Sequence, residues 1–225
     1  MKVLFFGRKR DEYTYKCISH LKGLGFEVDQ ILSNYRGEKL PEDLGWIKYD
    51  YIFCYRSYFI LPKVILDNCK YCSINFHPGS PYYPGSGGVN LSLLNNDSEF
   101  GVTVHVMDEK VDSGQIIEYR KFKIYDTDNL ESLLDRTHNY LFTLFIEFTT
   151  DLREQGYTFI QQKIDTNTST WSKKSTFIKE IDELQIINQD ISKSEFFKRL
   201  RSINHPNHPL EIRIHNHRFI YKDKI

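Results

Sequence analysis

Lys2-Val3-Leu4-Phe5-Phe6 is a short apolar run that stops at Gly7. A run of that length without alternation reads as a strand buried on both faces, the habit of a parallel sheet. Helical spacing follows over Glu12–Leu24 through Tyr15, Ile18, Leu21 and Leu24, with Gly23 and Gly25 as stop signals. Phe26–Leu32 reads as a second strand, Asp50–Tyr55 as a third and Cys72–Phe76 as a fourth, with a short helix over Pro62–Cys69. This alternation predicts an α/β domain of Rossmann-like build on a mostly parallel sheet. Farther on, Val89–Asn95 reads as a helix. Phe100–Met107 and Gln115–Ile124 read as strands about a polar turn, and Asp128–Leu152 as a long helix N-capped by Asp128.

After Gly156 the texture changes, and residues 156–225 read as a small mixed α+β appendage to the domain of residues 1–155. Tyr157–Ile164 reads as a strand, Asp165–Ser175 as a polar linker, and Ser192–Ile203 as a helix with Ser192 and Glu195 in capping-box register. Leu210–Ile214 and Arg218–Lys222 read as a closing hairpin about His215–His217.

The 225 residues carry 30 Lys and Arg against 30 Asp and Glu. That balance argues against a nucleic-acid binder, whose affinity needs surplus positive charge. No apolar run approaches the ~20 residues that span a bilayer, and the first residues are too short a run for a signal peptide. The expectation is a cytoplasmic protein with no membrane contact. Cys17, Cys54, Cys69 and Cys72 read as free thiols, since a lone C-x-x-C lacks the partners of a zinc site. His205, His208, His215 and His217 fit no standard metal spacing, and no metal is expected.

In an open α/β sheet the ligand site lies beyond the carboxyl ends of the strands. That rule points to Gly7–Arg10, Tyr55–Tyr58, the Pro- and Gly-rich loop His77–Gly88, and Met107–Ser113. Asn75 and His77 sit two apart, so a strand places both on one face. An amide N–H suits a developing oxyanion, an imidazole suits proton transfer near neutrality, and Asp112 could orient that imidazole. Together they suit acyl transfer to an amine. The competing reading makes Asn75 and Asp112 turn residues and His77 a loop histidine. Arg8, Lys9 and Arg10, with Arg56 at another strand end, could grip a diphosphate or form a solvated face.

Ser73-Ile74-Asn75-Phe76-His77-Pro78, the loop through Gly88, Gly101-Val102-Thr103-Val104-His105 and Val111-Asp112-Ser113-Gly114-Gln115-Ile116-Ile117 together resemble the 10-formyltetrahydrofolate-dependent formyltransferase family over about residues 1–155. The resemblance implies that Asn75, His77 and Asp112 are catalytic, and that His105 is a buried, hydrogen-bonded strand residue. It implies that Phe59, Ile60 and Leu61, with the backbone around Asp108 and Val111, wrap the pterin. Ordinary core packing is the alternative for the three apolar side chains.

Within the family, Tyr82-Tyr83-Pro84-Gly85 and the tail Arg201-Ser202-Ile203-Asn204 look most like bacterial sugar N-formyltransferases acting on dTDP-4-amino-4,6-dideoxy sugars for O-antigen synthesis. That likeness makes Arg8, Lys9, Arg10, Arg56, Tyr82 and Tyr83 substrate-binding candidates, with a nucleotide-linked amino sugar and folate as partners. It also implies a homodimer. A glycinamide ribonucleotide transformylase-like enzyme and a non-catalytic folate- or nucleotide-binding module are the alternatives.

Overall fold

The computed structural model describes residues 1–41, 44, 48–206, 208–215 and 217–222. Strands β1 (Lys2–Arg8), β2 (Glu27–Ser33), β3 (Tyr49–Tyr55), β4 (Cys69–His77), β5 (Glu99–Val106) and β6 (Ile116–Lys123) form a six-stranded sheet in the order β2-β1-β3-β4-β5-β6. The first four strands run parallel, and β5 and β6 turn back antiparallel. Strand order reverses between β1 and β3, so a crevice opens past Arg8 and Arg56. Residues 3–7 of β1 are fully enclosed, as a strand covered by helices on both faces must be.

Helix α1 (Glu12–Gly23) starts at Asp11, whose carboxylate accepts the Tyr13 amide. Helices α2 (Lys63–Leu66) and α3 (Gly88–Leu94) are short, and α4 (Leu130–Gln155) spans one face of the sheet. Phe145 of α4 meets Phe5, Phe53, Tyr55 and Phe76 edge-on, which knits β1, β3 and β4 to one helix. The expected cap at Asp128 is displaced by one residue. Asn129 caps α4 in a reciprocal box with Ser132. Asp128 is buried and paired with Arg136 instead.

Tyr157–Ile164 is not a strand but the body of helix α5 (Tyr157–Thr166). Gly156, at φ +71°, ends α4 and redirects the chain. Ile160 and Ile164 then fall one turn apart, and Phe159 and Ile160 join the main core beside Phe148. Aromatic and β-branched composition suggested a strand, and packing against α4 decided otherwise. So α5 packs on the core of the six-stranded sheet.

Beyond it lie α6 (Ile178–Leu184), the short β7 (Ile186–Ile187), α7 (Lys193–Ser202), β8 (Glu211–Ile214) and β9 (His217–Ile220). β8 and β9 form the expected hairpin, with Asn216 of its turn outside the described residues, and β7 adds a parallel third strand. Ser192 caps α7 as expected. Leu94 of α3 packs with Ile181, Ile187, Ile203 and Leu210, while Asn90 Nδ2 donates to the Ser202 carbonyl. Arg201 bonds the carbonyls of Tyr125 and Asp128, which fastens this unit to the mouth of α4. Among the described residues no helix is long and apolar enough to cross a membrane.

Tyr55 carries an anomaly with a measurable consequence. Its hydroxyl is buried among Phe76 and Phe145 with no hydrogen-bond partner among the described residues. An unpaired buried hydroxyl costs about 1–3 kcal/mol. Tyr55→Phe should therefore raise the melting temperature, by about 2–4 °C per kcal/mol for a chain of this size. A lower melting temperature would show that the hydroxyl is satisfied by a buried water.

Candidate active site

A cleft of about 1240 Å³ lies along the carboxyl ends of β1, β3 and β4, where the strand-end rule pointed. Its walls include Arg8, Arg56–Leu61, His77–Gly79, Gly85–Asn90 and Met107–Asp112. The unexpected contribution is the appendage, which supplies Thr176, Phe177, Ile178 and Ile181.

At its floor β4 turns into the loop after His77. Asn75 pairs with His105 across the β4–β5 ladder, and its Nδ2 lies 3.0 Å from His105 Nε2. His105 Nδ1 faces the Val106 carbonyl at 2.8 Å, which turns Nε2 toward Asn75 and Asp112. Asp112 comes from the β5–β6 connection at φ +47°, a conformation that costs a non-glycine residue free energy. Its Oδ2 accepts the Gly85 amide at 2.8 Å and lies 3.3 Å from His77 Nδ1. Its Oδ1 accepts Asn75 Nδ2 at 3.4 Å and lies 3.3 Å from His105 Nε2. The three residues singled out by their pattern thus meet at one carboxylate, and His105 joins them.

Burial works against the Asp112 carboxylate, but His77, His105 and the Gly85 amide outweigh it and bring its pKa down to about 2. Burial lowers the His77 pKa, Asp112 offsets part of that, and His105 adds to the lowering. At neutral pH the cluster therefore holds one anion and a neutral His77. His77 Nε2 is buried with no partner among the described residues. An unpaired nitrogen in such a place marks a point that a ligand can satisfy. Two glycines make the arrangement possible. A Cβ on Gly79 would lie 2.4 Å from His77 Nε2, and Gly85 holds φ +105° with Thr176 close against it.

The other expected residues divide. Phe59, Ile60, Leu61, Asp108 and Val111 all line the cleft. Phe59 and Leu61 also pack into the cluster of Phe6, Cys54 and Leu66, whereas Ile60 is 71% exposed. Arg8 lies at the cleft with its guanidinium 4.0 Å from the Tyr58 ring centre and its Nε donating to the Arg56 carbonyl. Arg56, at φ +53°, pairs with Asp11 at 3.1 Å and also lines the cleft. Arg10 is exposed and borders only a small side recess with Arg8 and Arg56, and Lys9 is exposed outside both spaces. Tyr82 lies outside the cleft, 61% exposed against Tyr119. Tyr83 lines it, but its hydroxyl is held by Asp97 at 2.5 Å.

Sequence reading missed Arg36 and His138. Arg36 lines the cleft over the same Tyr58 ring, 5.9 Å from its centre. His138 of α4 lines the cleft, its pKa pushed down to about 3 by burial and by the charges of Arg56 and Arg8. Neither position carried a local signal, because both reach the cleft through tertiary packing.

The sequence profile of the Formyl transferase family matches residues 27–149, more than half the chain and the span that carries Asn75, His77 and Asp112. The chain belongs to the formyl transferase family. Among curated formyltransferases, it is 35% identical over 97 residues to the methionyl-tRNA formyltransferase of Wolbachia pipientis, a match covering 43% of this chain and 32% of that protein. The matches cover less than half the length of the curated relatives. Solved formyltransferase structures match over nearly the whole length. A sugar N-formyltransferase from Shewanella sp. superposes with a TM-score of 0.76 at 17% identity, covering 99% of this chain and 96% of that one. The N-formyltransferase of Helicobacter canadensis, solved with folinic acid and dTDP-3-aminofucose, gives 0.71 at 19% identity over 96% and 85%. At these identities the likeness establishes a shared fold that includes the appendage.

Proposed function

We propose that this formyltransferase is a sugar N-formyltransferase, moving a formyl group from 10-formyltetrahydrofolate to the amine of a nucleotide-linked amino sugar. The observation that carries this reading is the meeting of Asn75, His77 and Asp112 at a cleft whose far wall is the appendage, in a fold shared end to end with sugar N-formyltransferases. The cleft exceeds the ~300–1,000 Å³ of an ordinary ligand pocket, which suits two ligands bound side by side. A dTDP-4-amino-4,6-dideoxyglucose acceptor and a role in O-antigen synthesis are the finer form of this reading.

Folate supplies the formyl carbon. Phe59, Ile60 and Leu61 offer an apolar face to its flat heterocycle, and the backbone around Asp108 and Val111 offers polar partners at the edge. The acceptor amine bonds to the formyl carbon as that carbon's bond to the folate N10 breaks. The unpaired Nε2 of His77 takes the proton the amine loses and passes it to the departing N10, while Asp112 holds the ring through Nδ1. Asn75 has both Nδ2 hydrogens engaged, and the longer bond, to Asp112, is the one it can give up to the formyl oxygen as negative charge develops there. Arg8 and Arg56 supply the positive charge for a diphosphate. Titration calorimetry with folinic acid and with a dTDP-linked amino sugar tests the pairing. Both should bind, each in the presence of the other. Displacement of one by the other would overturn the two-ligand cleft.

The hairpin supports a homodimer. Ile212 and Tyr221 pack inward, while Phe219 and Ile220 of the outer strand β9 are 57% and 45% exposed along an edge. An apolar edge strand is a ready pairing surface, and a two-fold contact would cover both copies at once. Light scattering should find a dimer at micromolar concentration and a monomer for Phe219→Asp. A monomeric parent protein would sink the assembly.

A further inference from the structure

The segment that reads as a polar linker runs along the loop after His77 and reaches the cleft wall at Ser175. Ser172 N donates to the Pro81 carbonyl at 2.8 Å, and Thr176 N donates to that of Pro84 at 2.7 Å. The Ser86 amide returns a bond to the Thr176 carbonyl at 3.0 Å. Between those clamps sits Gly85, whose amide holds the Asp112 carboxylate. Trp171 of the same segment reaches the loop that carries Asp112. Its Nε1 donates to the Gly114 carbonyl at 2.6 Å, two residues past Asp112. Its indole meets His105 edge-on at 5.0 Å and 87°, and His77 at 5.9 Å and 72°. Trp171 is not among the cleft-lining residues, and it lies beyond the span matched by the family profile.

We propose that Trp171 is a positioning residue of the formyl-transfer site, pinning the Asp112 loop through Gly114 and closing the two histidines from water on the side away from the cleft. The proposal rests on the reading that transfer takes place at His77. Asp112 sits in a costly backbone conformation that surrounding contacts must hold. An indole N–H on the neighbouring carbonyl and a clamped Gly85 amide are two such contacts, both from one strap. The groups facing His77 are Asp112 from the β5–β6 connection and His105 from β5, and Trp171 presents no charge to it. Removing the indole admits water to a neutral imidazole and eases its protonation.

The test uses the full chain, with Trp171→Phe and Trp171→Ala checked by circular dichroism and melting. Formyl transfer is followed across pH, and the His77 ring is titrated by NMR, assigned with His77→Gln. Trp171→Phe keeps a ring and loses the donor, so kcat should fall about ten- to a hundredfold, the scale of a small misplacement. KM for donor and acceptor should hold. In Trp171→Ala the His77 titration and the acid limb of kcat should both move to higher pH. Folded variants with unchanged kcat and an unchanged His77 titration would overturn the proposal. If Trp171→Ala fails to fold, Trp171→Phe decides by the same kcat. If the parent protein formylates no amino sugar, the functional reading falls. The His77 titration then decides alone: a rise on losing the indole supports the positioning role, and none refutes it.

Discussion

His77→Ala should lower formyl transfer by about two to four orders of magnitude, the range of a lost general base. Asn75→Ala should cost about 10²–10³, the range of a lost oxyanion donor. Both expectations follow from one geometry. His77 presents an unpaired Nε2, and Asn75 offers a hydrogen it can release from a 3.4 Å bond. Neither substitution touches the ring packing of β1, β3, β4 and α4, so both variants should melt cooperatively. The pH profile adds a sign. Burial lowers the His77 pKa, so the free base persists below the usual imidazole range, and activity should fall only as pH drops through that lowered value. Near-parental turnover in either folded variant, or an acid limb above pH ~6.5, the ordinary imidazole value, would remove the mechanism.

Arg8→Ala should weaken nucleotide-sugar binding by about 1.5–3 kcal/mol, the worth of a charged hydrogen bond, or about ten- to a hundredfold in Kd. Arg8 lies stacked on Tyr58 and braced by the Arg56 carbonyl, so its guanidinium is held ready rather than ordered on binding. Lys9→Ala is the control, because its exposed side chain faces neither cavity. Folinic acid affinity should be unchanged in both. Calorimetry that finds Arg8→Ala equal to the parent for the sugar nucleotide would return Arg8 to a solvated surface. A loss in Lys9→Ala of the same size would mean that long-range charge, not contact, draws the ligand.

Much of this site was legible because its signals are local. Buried strands announce themselves as apolar runs, and the Pro and Gly after His77 mark the loop that follows β4. Period two put Asn75 and His77 together without any knowledge of the fold. Asp112 was another matter. Its distance along the chain says nothing of its approach to His77: the strand-end rule offered it only as a carboxylate that could orient the ring, and the family's motif made it catalytic. His105 was expected as a buried strand histidine, which it is, but its place against Asn75 depends on the β4–β5 register. Nor could sequence show that the Thr- and Ser-rich stretch 165–175 folds back over the site. The lone Trp171 within it was the available sign, since a large apolar ring in a polar linker needs something to cover. The misread α5 shows the opposite failure. Its aromatic and branched residues suit a strand, and the face offered by α4 and β6 settles the matter.

The most direct measurement is mass spectrometry of a reaction between the protein, 10-formyltetrahydrofolate and a panel of dTDP-linked amino sugars, with glycinamide ribonucleotide and methionyl-tRNA as competing acceptors. The account predicts the gain of one formyl group on an amino sugar, lost in His77→Ala. Formylation of glycinamide ribonucleotide or methionyl-tRNA alone, or of no acceptor while both ligands bind, would contradict it.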